Sequence, residues 1–357
     1  MKNKQEKVQI MSIKINLGTE AYDFSSGILT ENHPLKNFKT NLLISGGSRS
    51  ERTELLSHVL NQFYATLPDI GVLLIQLGSN EDTYLYQLDK VFEYGTPELN
   101  IPYYTGHWFN MLNRERFINY MNAVFGFHFE MSFVIDNLTR CYKRGSLPSS
   151  IIDFLEDLKK YLIKHPYHEE FTEGNVKSFE KAIEIFQEDP VLEDTISIPL
   201  KEIPEWLNLW KEGKKICIDL TKCDTFQQRL LVTLITQAIL KHVDQSNSDI
   251  PTGIVVMEDV GDIMEKLPYK DYKRIFMSNR EYYRTIIEES YVLTPEQFAE
   301  VYGDDNYLMN VQLENTFRHL IGNEFRYRSI SQITVCKDIA NIYEDIDSYS
   351  QIKIHID

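Results

Sequence analysis

Apolar and polar positions along the chain follow two periods. The opening alternates, with Val8, Ile10, Ile13, Ile15 and Leu17 predicting a strand or hairpin before a polar stretch through Gly18 and Gly27. An unbroken apolar strand, Asn41-Leu42-Leu43-Ile44-Ser45, then runs into the small-residue turn Gly46-Gly47-Ser48-Arg49-Ser50. Leu55, Leu56, Val59, Leu60 and Phe63 follow at helical spacing. Pro68 breaks that helix, and Gly71–Leu77 reads as a second strand. Strand, helix, strand in this order is a parallel crossover, which predicts the doubly wound α/β class.

After a short strand around Lys90–Tyr94 and a turn-rich stretch to Asn113, residues 114–210 predict helices. Val124, Phe125, Phe129, Ile135 and Leu138 are helically spaced, as are Ile152, Leu155 and Leu158, so this segment is expected to be an all-helical insertion packed against the sheet edge. The α/β pattern resumes with strand Lys215–Leu220, a helix from Phe226 to about Val243, strand Gly253–Met257, a helix through Arg274–Tyr282 and strand Thr285–Ser290. Beyond Leu293 the pattern is weak until a terminal strand at Gln351–Ile356. Three segments result: 1–113 and 211–357 as the two halves of an α/β core, with 114–210 inserted between them.

At 357 residues, with 43% hydrophobic and 25% charged residues, the chain has the composition of a folded domain with a large core. The 53 acidic against 37 basic residues give a net charge of −16, so the average surface repels nucleic acid and anionic lipid. Contact with DNA therefore requires a local basic strip, such as one lining a pore. Cys141, Cys217, Cys223 and Cys336 show no CxxC spacing, which argues against a metal site and for reduced thiols. With no apolar leader and no run of about 18 apolar residues, a cytoplasmic location is expected.

Two motifs carry candidate chemistry. Gly46-Gly47-Ser48-Arg49-Ser50-Glu51-Arg52-Thr53 fits the frame GxxxxGK[ST] at Gly46 and Thr53. In that frame backbone N–H groups surround phosphates, the Lys reaches them and the hydroxyl binds Mg²⁺. A tight Gly-Gly turn joining a strand to a helix reads equally well from the same residues. Gly253-Ile254-Val255-Val256-Met257-Glu258-Asp259 is an apolar strand ending in two carboxylates. Such a pair can hold Mg²⁺ and polarise an attacking water, or it can cap the next helix.

The order of these features, over about residues 8 to 293, resembles the HerA/FtsK superfamily of P-loop ATPases. Leu35–Ile44 with the glycine turn resembles the entry to that family's Walker A motif, and Val72–Gly78 its second strand. Phe109-Asn110-Met111-Leu112-Asn113 resembles the turn after it, Ile216–Leu220 the strand before its long helix, and Ile254–Asp259 its Walker B. The resemblance implies a RecA-like core with a mainly parallel sheet, ATP held by Gly46–Thr53, and Mg²⁺ at Thr53 and Glu258. It also implies Glu258 and Asp259 as the catalytic carboxylates, a hexameric ring, a protein partner, and DNA as a possible ligand of the pore.

Departures from the family pattern fall on the chemistry. Glu51 stands where the second Gly belongs, Arg52 where the Lys belongs, the usual Asp-Glu order is inverted, and Tyr291 takes the place of a phosphate-sensing Gln. A carboxylate about 4–5 Å from a phosphate costs on the order of 4 kcal/mol at an effective dielectric near 20. Arg is planar and bulkier than Lys. The expectation is a degenerate subunit, a pseudo-ATPase acting as scaffold or regulator, with an active ATP-driven motor as the alternative. Arg318, Arg326 and Arg328 are candidate arginine fingers or ordinary surface residues, His165 and His168 read as a solvated loop, and Trp206 with Trp210 as a packed helix face.

Overall fold

Strands buried on both faces read as continuous branched apolar runs, and here they assemble into one large sheet. The computed structural model describes residues 13–15, 22–23, 33–35, 41–79, 83–102, 150–166, 169–197, 203–246, 251–262, 325–338, 350 and 352–356. Its first half holds β1 (Ile13–Ile15), β2 (Tyr22–Asp23), β3 (His33–Leu35), β4 (Asn41–Gly46), α1 (Arg49–Thr66), β5 (Val72–Gln76), β6 (Lys90–Glu93) and β7 (Ile101–Pro102). Next come α2 (Ile151–Lys164), α3 (Glu169–Glu188), α4 (Pro190–Thr195), β8 (Ile196–Ser197) and α5 (Glu205–Lys211). The last part holds β9 (Lys215–Asp219), α6 (Thr225–His242), β10 (Gly253–Glu258), the single turn α7 (Phe325–Tyr327), β11 (Ile330–Val335) and β12 (Ile352–Ile356).

Among the described residues the main sheet has eight strands in the order β2-β12-β4-β11-β10-β5-β9-β6. All pairs are parallel except β2 with β12. The class is therefore α/β with a mainly parallel sheet, as the crossover pattern predicts. The strands that precede the two motifs, β4 and β10, are not neighbours: β11 lies between them, paired with both. The sequence Ile-Ser-Gln-Ile-Thr-Val of β11 hides this strand, because Ser331, Gln332 and Thr334 are polar yet buried. The expected helix at Arg274–Tyr282 and strand at Thr285–Ser290 lie outside the described residues.

Alternation sorts each strand's side chains onto two cores. On one face Leu42, Ile44, Val72, Leu74, Ile254, Val256, Ile333 and Ile354 pack against Leu55, Leu56, Val59, Leu60 and Phe63 of α1. On the other, Leu43, Leu73, Ile75, Ile216, Ile218, Val255 and Met257 share a cluster with α2, α3, α5 and α6. The described part of 150–197 is helical apart from β8, which pairs in parallel with β7, so the chain leaves and re-enters these helices at adjoining points.

Two contacts hold helices in place beside the sheet. Trp210 of α5, 1% exposed, donates from Nε1 to the Ile254 carbonyl at 3.2 Å, seating α5 on β10. At the start of α6, Asp224 and Gln227 form a reciprocal capping box, each side chain accepting from the other's backbone N–H at 2.8 Å. Trp210→Ala is expected to lower stability by about 3–5 kcal/mol, the usual loss for a buried Trp truncation, read as a drop in the urea midpoint. An unchanged midpoint would show that α5 does not brace β10.

Candidate functional site

Phosphate-type sites in open α/β sheets form at the carboxyl ends of the strands, and here β4, β5 and β10 end together. β4 leads into Gly46 (φ 81) and Gly47 (φ 56), both left-handed, so only glycine follows this path without strain. A Cβ at Gly46 would also stand 2.0 Å from the Ile356 carbonyl oxygen at the end of β12. Ser48 is the N-cap of α1, and the helix begins at Arg49. Arg49, Ser50 and Glu51 thus occupy the first helical turn, where a GxxxxGK[ST] frame has the far side of its loop.

The local reason is a second motif written in the same residues. Ser48-Arg49-Ser50-Glu51 is an S-x-x-E capping box: Ser48 Oγ accepts from Glu51 N–H at 3.3 Å, and Glu51 Oε2 accepts from Ser48 N–H at 2.7 Å. The hydrogen bonds from Ser48, side chain first and backbone second, hold the exposed Glu51 carboxyl below its ordinary range. Gly46 N–H donates to the Lys337 carbonyl beyond β11 at 3.0 Å. Two N–H groups of the turn are therefore already engaged within the chain. The strand ends beside Gly46 are those of β11 and β12; Tyr291 lies outside the described residues.

Arg52, 4% exposed, turns inward. Its Nη1 donates to the carbonyls of Gly46 at 3.0 Å and Gly47 at 2.9 Å, and its Nη2 to Asp259 Oδ1 at 3.2 Å. Arg49 approaches the same carboxylate from the other side, with Nε 3.3 Å from Oδ2, while its Nη2 donates to the Ser79 carbonyl. Asp259 is left-handed at φ 58, unusual for a residue with a side chain.

Glu258 belongs to the buried end of β10 and is 1% exposed. Its Oε1 accepts from Thr53 Oγ1 at 3.1 Å and Tyr86 Oη at 2.8 Å, and its Oε2 from Gln76 Nε2 at 3.4 Å. Burial pushes its pKa up, Asp259 adds to the rise, and the hydroxyl donors from Tyr86 and Thr53 oppose it. Burial also raises the Tyr86 phenol, so it stays a donor at neutral pH. Gln76 and Tyr86 were not singled out by sequence. Gln76 had one available signal: it ends an apolar strand in register with Glu258, Val-Leu-Leu-Ile-Gln beside Val-Val-Met-Glu.

The fold thus brings Gly46, Gly47, Ser48, Arg49, Glu51, Arg52, Thr53, Glu258 and Asp259 together. Thr53 and Glu258 offer a hydroxyl and a carboxylate, the hard oxygen ligands Mg²⁺ takes when water and phosphate complete its shell. No cluster of three His, Cys, Asp or Glu suited to a metal occurs among the described residues. Arg328 donates from Nε to the Val243 carbonyl behind α6, a structural role. His165 C-caps α2 with its ring 4.7 Å from that of Tyr161. Arg318 and His168 lie outside the described residues. Among those residues no helix is long and apolar enough to cross a membrane.

Parallel order, crossover helix, glycine turn and acidic strand end together give a RecA-like P-loop fold with a mainly parallel sheet. Solved structures resemble it at the level of fold. The plasmid coupling protein TrwB in complex with ADP and Mg²⁺ matches with TM-score 0.53 at 10% identity, covering 90% of this chain and 72% of that one. The unbound bacterial conjugative coupling protein TrwB matches with TM-score 0.51 at 10% identity, over 90% of this chain and 69% of that one. VirB4 of Thermoanaerobacter pseudethanolicus gives 0.49 at 10% identity, over 87% and 73%. No family model and no curated protein sequence matches. At this identity the likeness is one of fold.

The raised Glu258 pKa predicts a pH dependence. A carboxyl that binds its proton more tightly folded than unfolded favours folding at low pH; that contribution is lost as pH rises from the unfolded value, near 4.5, through the raised folded value. In metal-free buffer, Glu258→Gln is therefore expected to gain stability over the wild type progressively above about pH 4.5, measured by urea unfolding across the pH range. Parallel curves for the two proteins would contradict it.

Proposed function

We propose that the chain is a degenerate P-loop subunit that acts as a ring-forming scaffold or regulator, with weak or absent ATP hydrolysis. The observation that carries this reading is the closure of the phosphate turn by the chain's own groups. Glu51 takes the Ser48 N–H at 2.7 Å, and Arg52 is spent on the carbonyls of Gly46 and Gly47 and on Asp259. A nucleotide would have to displace both, and a carboxylate at Glu51 repels the incoming phosphate. An Arg anchored in this way does not sweep toward a γ-phosphate as a flexible Lys does.

The structural neighbour TrwB is in complex with ADP and Mg²⁺, which supports a nucleotide as a ligand class for such a fold. In the present reading residues 114–210 are a helical insertion in a RecA-like core, and assembly follows the ring geometry of the resemblance, hexameric, with a protein partner. The acidic balance of −16 disfavours DNA as the principal ligand.

The alternative, an active motor of the DNA translocase or helicase kind, is favoured by one contact. Thr53 Oγ1 and Glu258 Oε1, 3.1 Å apart, keep the hydroxyl and carboxylate that would hold Mg²⁺. In that case Glu258 orients the metal, and Asp259 serves as base once freed from its arginines.

Calorimetric titration with Mg²⁺-ATP beside a steady-state ATPase assay separates the two. The wild type is expected to bind weakly and turn over slowly or not at all. Glu51→Gly with Arg52→Lys is expected to strengthen binding, by more than about a hundredfold if the full repulsion is relieved. Tight binding and brisk turnover by the wild type, with no gain in the double variant, would establish the motor instead.

A further inference from the structure

Polar residues on one stripe of α1 hold a neighbouring turn against the acidic end of β10. Thr53, Ser57, Asn61 and Tyr64 recur at helical spacing and share one face of the helix. Thr53 Oγ1 donates to Glu258 Oε1 at 3.1 Å. The other three grip the short turn Thr83–Tyr86 and the residue after it. Ser57 Oγ donates to the Leu85 carbonyl at 2.9 Å, Tyr64 Oη donates to the Tyr86 carbonyl at 3.2 Å, and Asn61 Oδ1 accepts from Gln87 Nε2 at 3.1 Å. Gln87 is left-handed at φ 52, a conformation that a residue with a side chain keeps only where its surroundings fix it. This clamp delivers the Tyr86 hydroxyl, which donates to Glu258 Oε1 at 2.8 Å, closer than Thr53 does.

Glu258 thus accepts from Thr53 and Tyr86 on Oε1 and from Gln76 Nε2 on Oε2, and both Glu258 and Tyr86 are 1% exposed. Mg²⁺ dehydrates reluctantly and keeps several waters, so a carboxylate serves it only where an aquated ion has access. Thr53 is no obstacle, because a hydroxyl that donates to a carboxylate still has lone pairs for a metal. Tyr86 is one, since its hydroxyl takes up acceptor capacity on the oxygen that Thr53 shares, and its ring is packed into the apolar cluster beneath α1.

We propose that Tyr86 is a plug on Glu258 that keeps a divalent cation from this carboxylate, and that Ser57, Asn61 and Tyr64 are the positioning residues that hold the plug in place. A cation gains Glu258 only when the turn 83–87 leaves α1. The inference rests on the degenerate-subunit reading and deepens it: beside the closed phosphate turn it sets a closed metal position, made by a residue outside both sequence motifs.

The test is titration of Mn²⁺, a paramagnetic stand-in for Mg²⁺, into the full chain with and without ADP, read as loss of the free-ion resonance signal. Tyr86→Phe keeps the ring and removes the hydroxyl. It is expected to bind Mn²⁺ about tenfold or more tighter than the wild type, the fold-change that one hydrogen bond to a charged acceptor represents. Ser57→Ala leaves Tyr86 intact but releases the turn at Leu85, and should give a smaller gain in the same direction. Adding Glu258→Gln to either variant should abolish the gain, because the anionic ligand is then lost.

No gain in correctly folded Tyr86→Phe, with or without ADP, or a gain that survives Glu258→Gln, would overturn the proposal. So would weaker Mn²⁺ binding by Tyr86→Phe, which would make Tyr86 a support of the metal position. Should Tyr86→Phe fail to fold, Ser57→Ala with and without Glu258→Gln decides alone. ADP titrated in EDTA, beside ATP turnover by the wild type, keeps the two readings apart. Tight metal-free ADP binding with brisk turnover in Mg²⁺ sinks the degenerate-subunit reading, whereas weak binding and slow turnover with no Mn²⁺ gain sink only this one.

Discussion

Charges and hydroxyls carried by α1 meet the acidic end of β10, and this buried bridge is the constraint from which the rest of the site follows. Thr53 reaches Glu258 and Arg52 reaches Asp259, although β11 separates the strands that precede them. Ionised groups withdrawn from water persist only when paired and hydrogen-bonded, because either partner alone would be strongly disfavoured. Once Arg52 is buried, therefore, Asp259 and the carbonyls of Gly46 and Gly47 are compelled toward it. Glu258, equally buried, draws Thr53, Tyr86 and Gln76. The conformation of the glycine turn, the left-handed Asp259 and the placement of Tyr86 are consequences of satisfying this small set of charges.

Much of the core was legible because central parallel strands announce themselves as apolar runs. Leu42–Ile44, Val72–Ile75, Ile216–Ile218 and Ile254–Met257 all became strands buried on both faces. β11 was not legible, since a strand carrying Ser331, Gln332 and Thr334 looks like a surface segment. Part of its polarity is satisfied within the strand, where Gln332 Nε2 donates to Thr334 Oγ1 at 2.9 Å. β12 was legible as a strand from the alternation of Ile352, Ile354 and Ile356, but nothing local states that it pairs with β4 in parallel. The segment beyond β11 flanks the turn, where Gly46 N–H donates to the Lys337 carbonyl.

Within the site, residue types were legible and partnerships were not. Gly46, Thr53, Glu258 and Asp259 could be picked out by frame and strand position, yet the role of Arg49 depends on Asp259, more than two hundred residues away in sequence. One local signal went unread. Residues 48 to 51 spell a capping box as clearly as residues 46 to 53 spell a damaged phosphate loop, and the two demand different backbones. A phosphate loop keeps its N–H groups free to converge on an anion. A capping box engages the first of them with its own Glu, and so starts the helix early.

That competition gives Glu51 a meaning beyond the loss of a glycine. Replacing Gly by any residue would crowd a phosphate loop, but Glu at this position also supplies the anion that the N–H group of Ser48 would otherwise take from a ligand. Asp259 pairs with Arg49 and Arg52 from the opposite strand end. Two carboxylates of the chain thus flank the turn, one exposed and locally tethered, the other half-enclosed and backbone-strained. The exposed one is held by helix capping, worth about 1 kcal/mol in typical cases. The enclosed one is held by two close charge contacts, each shielded from solvent and so stronger than a surface pair.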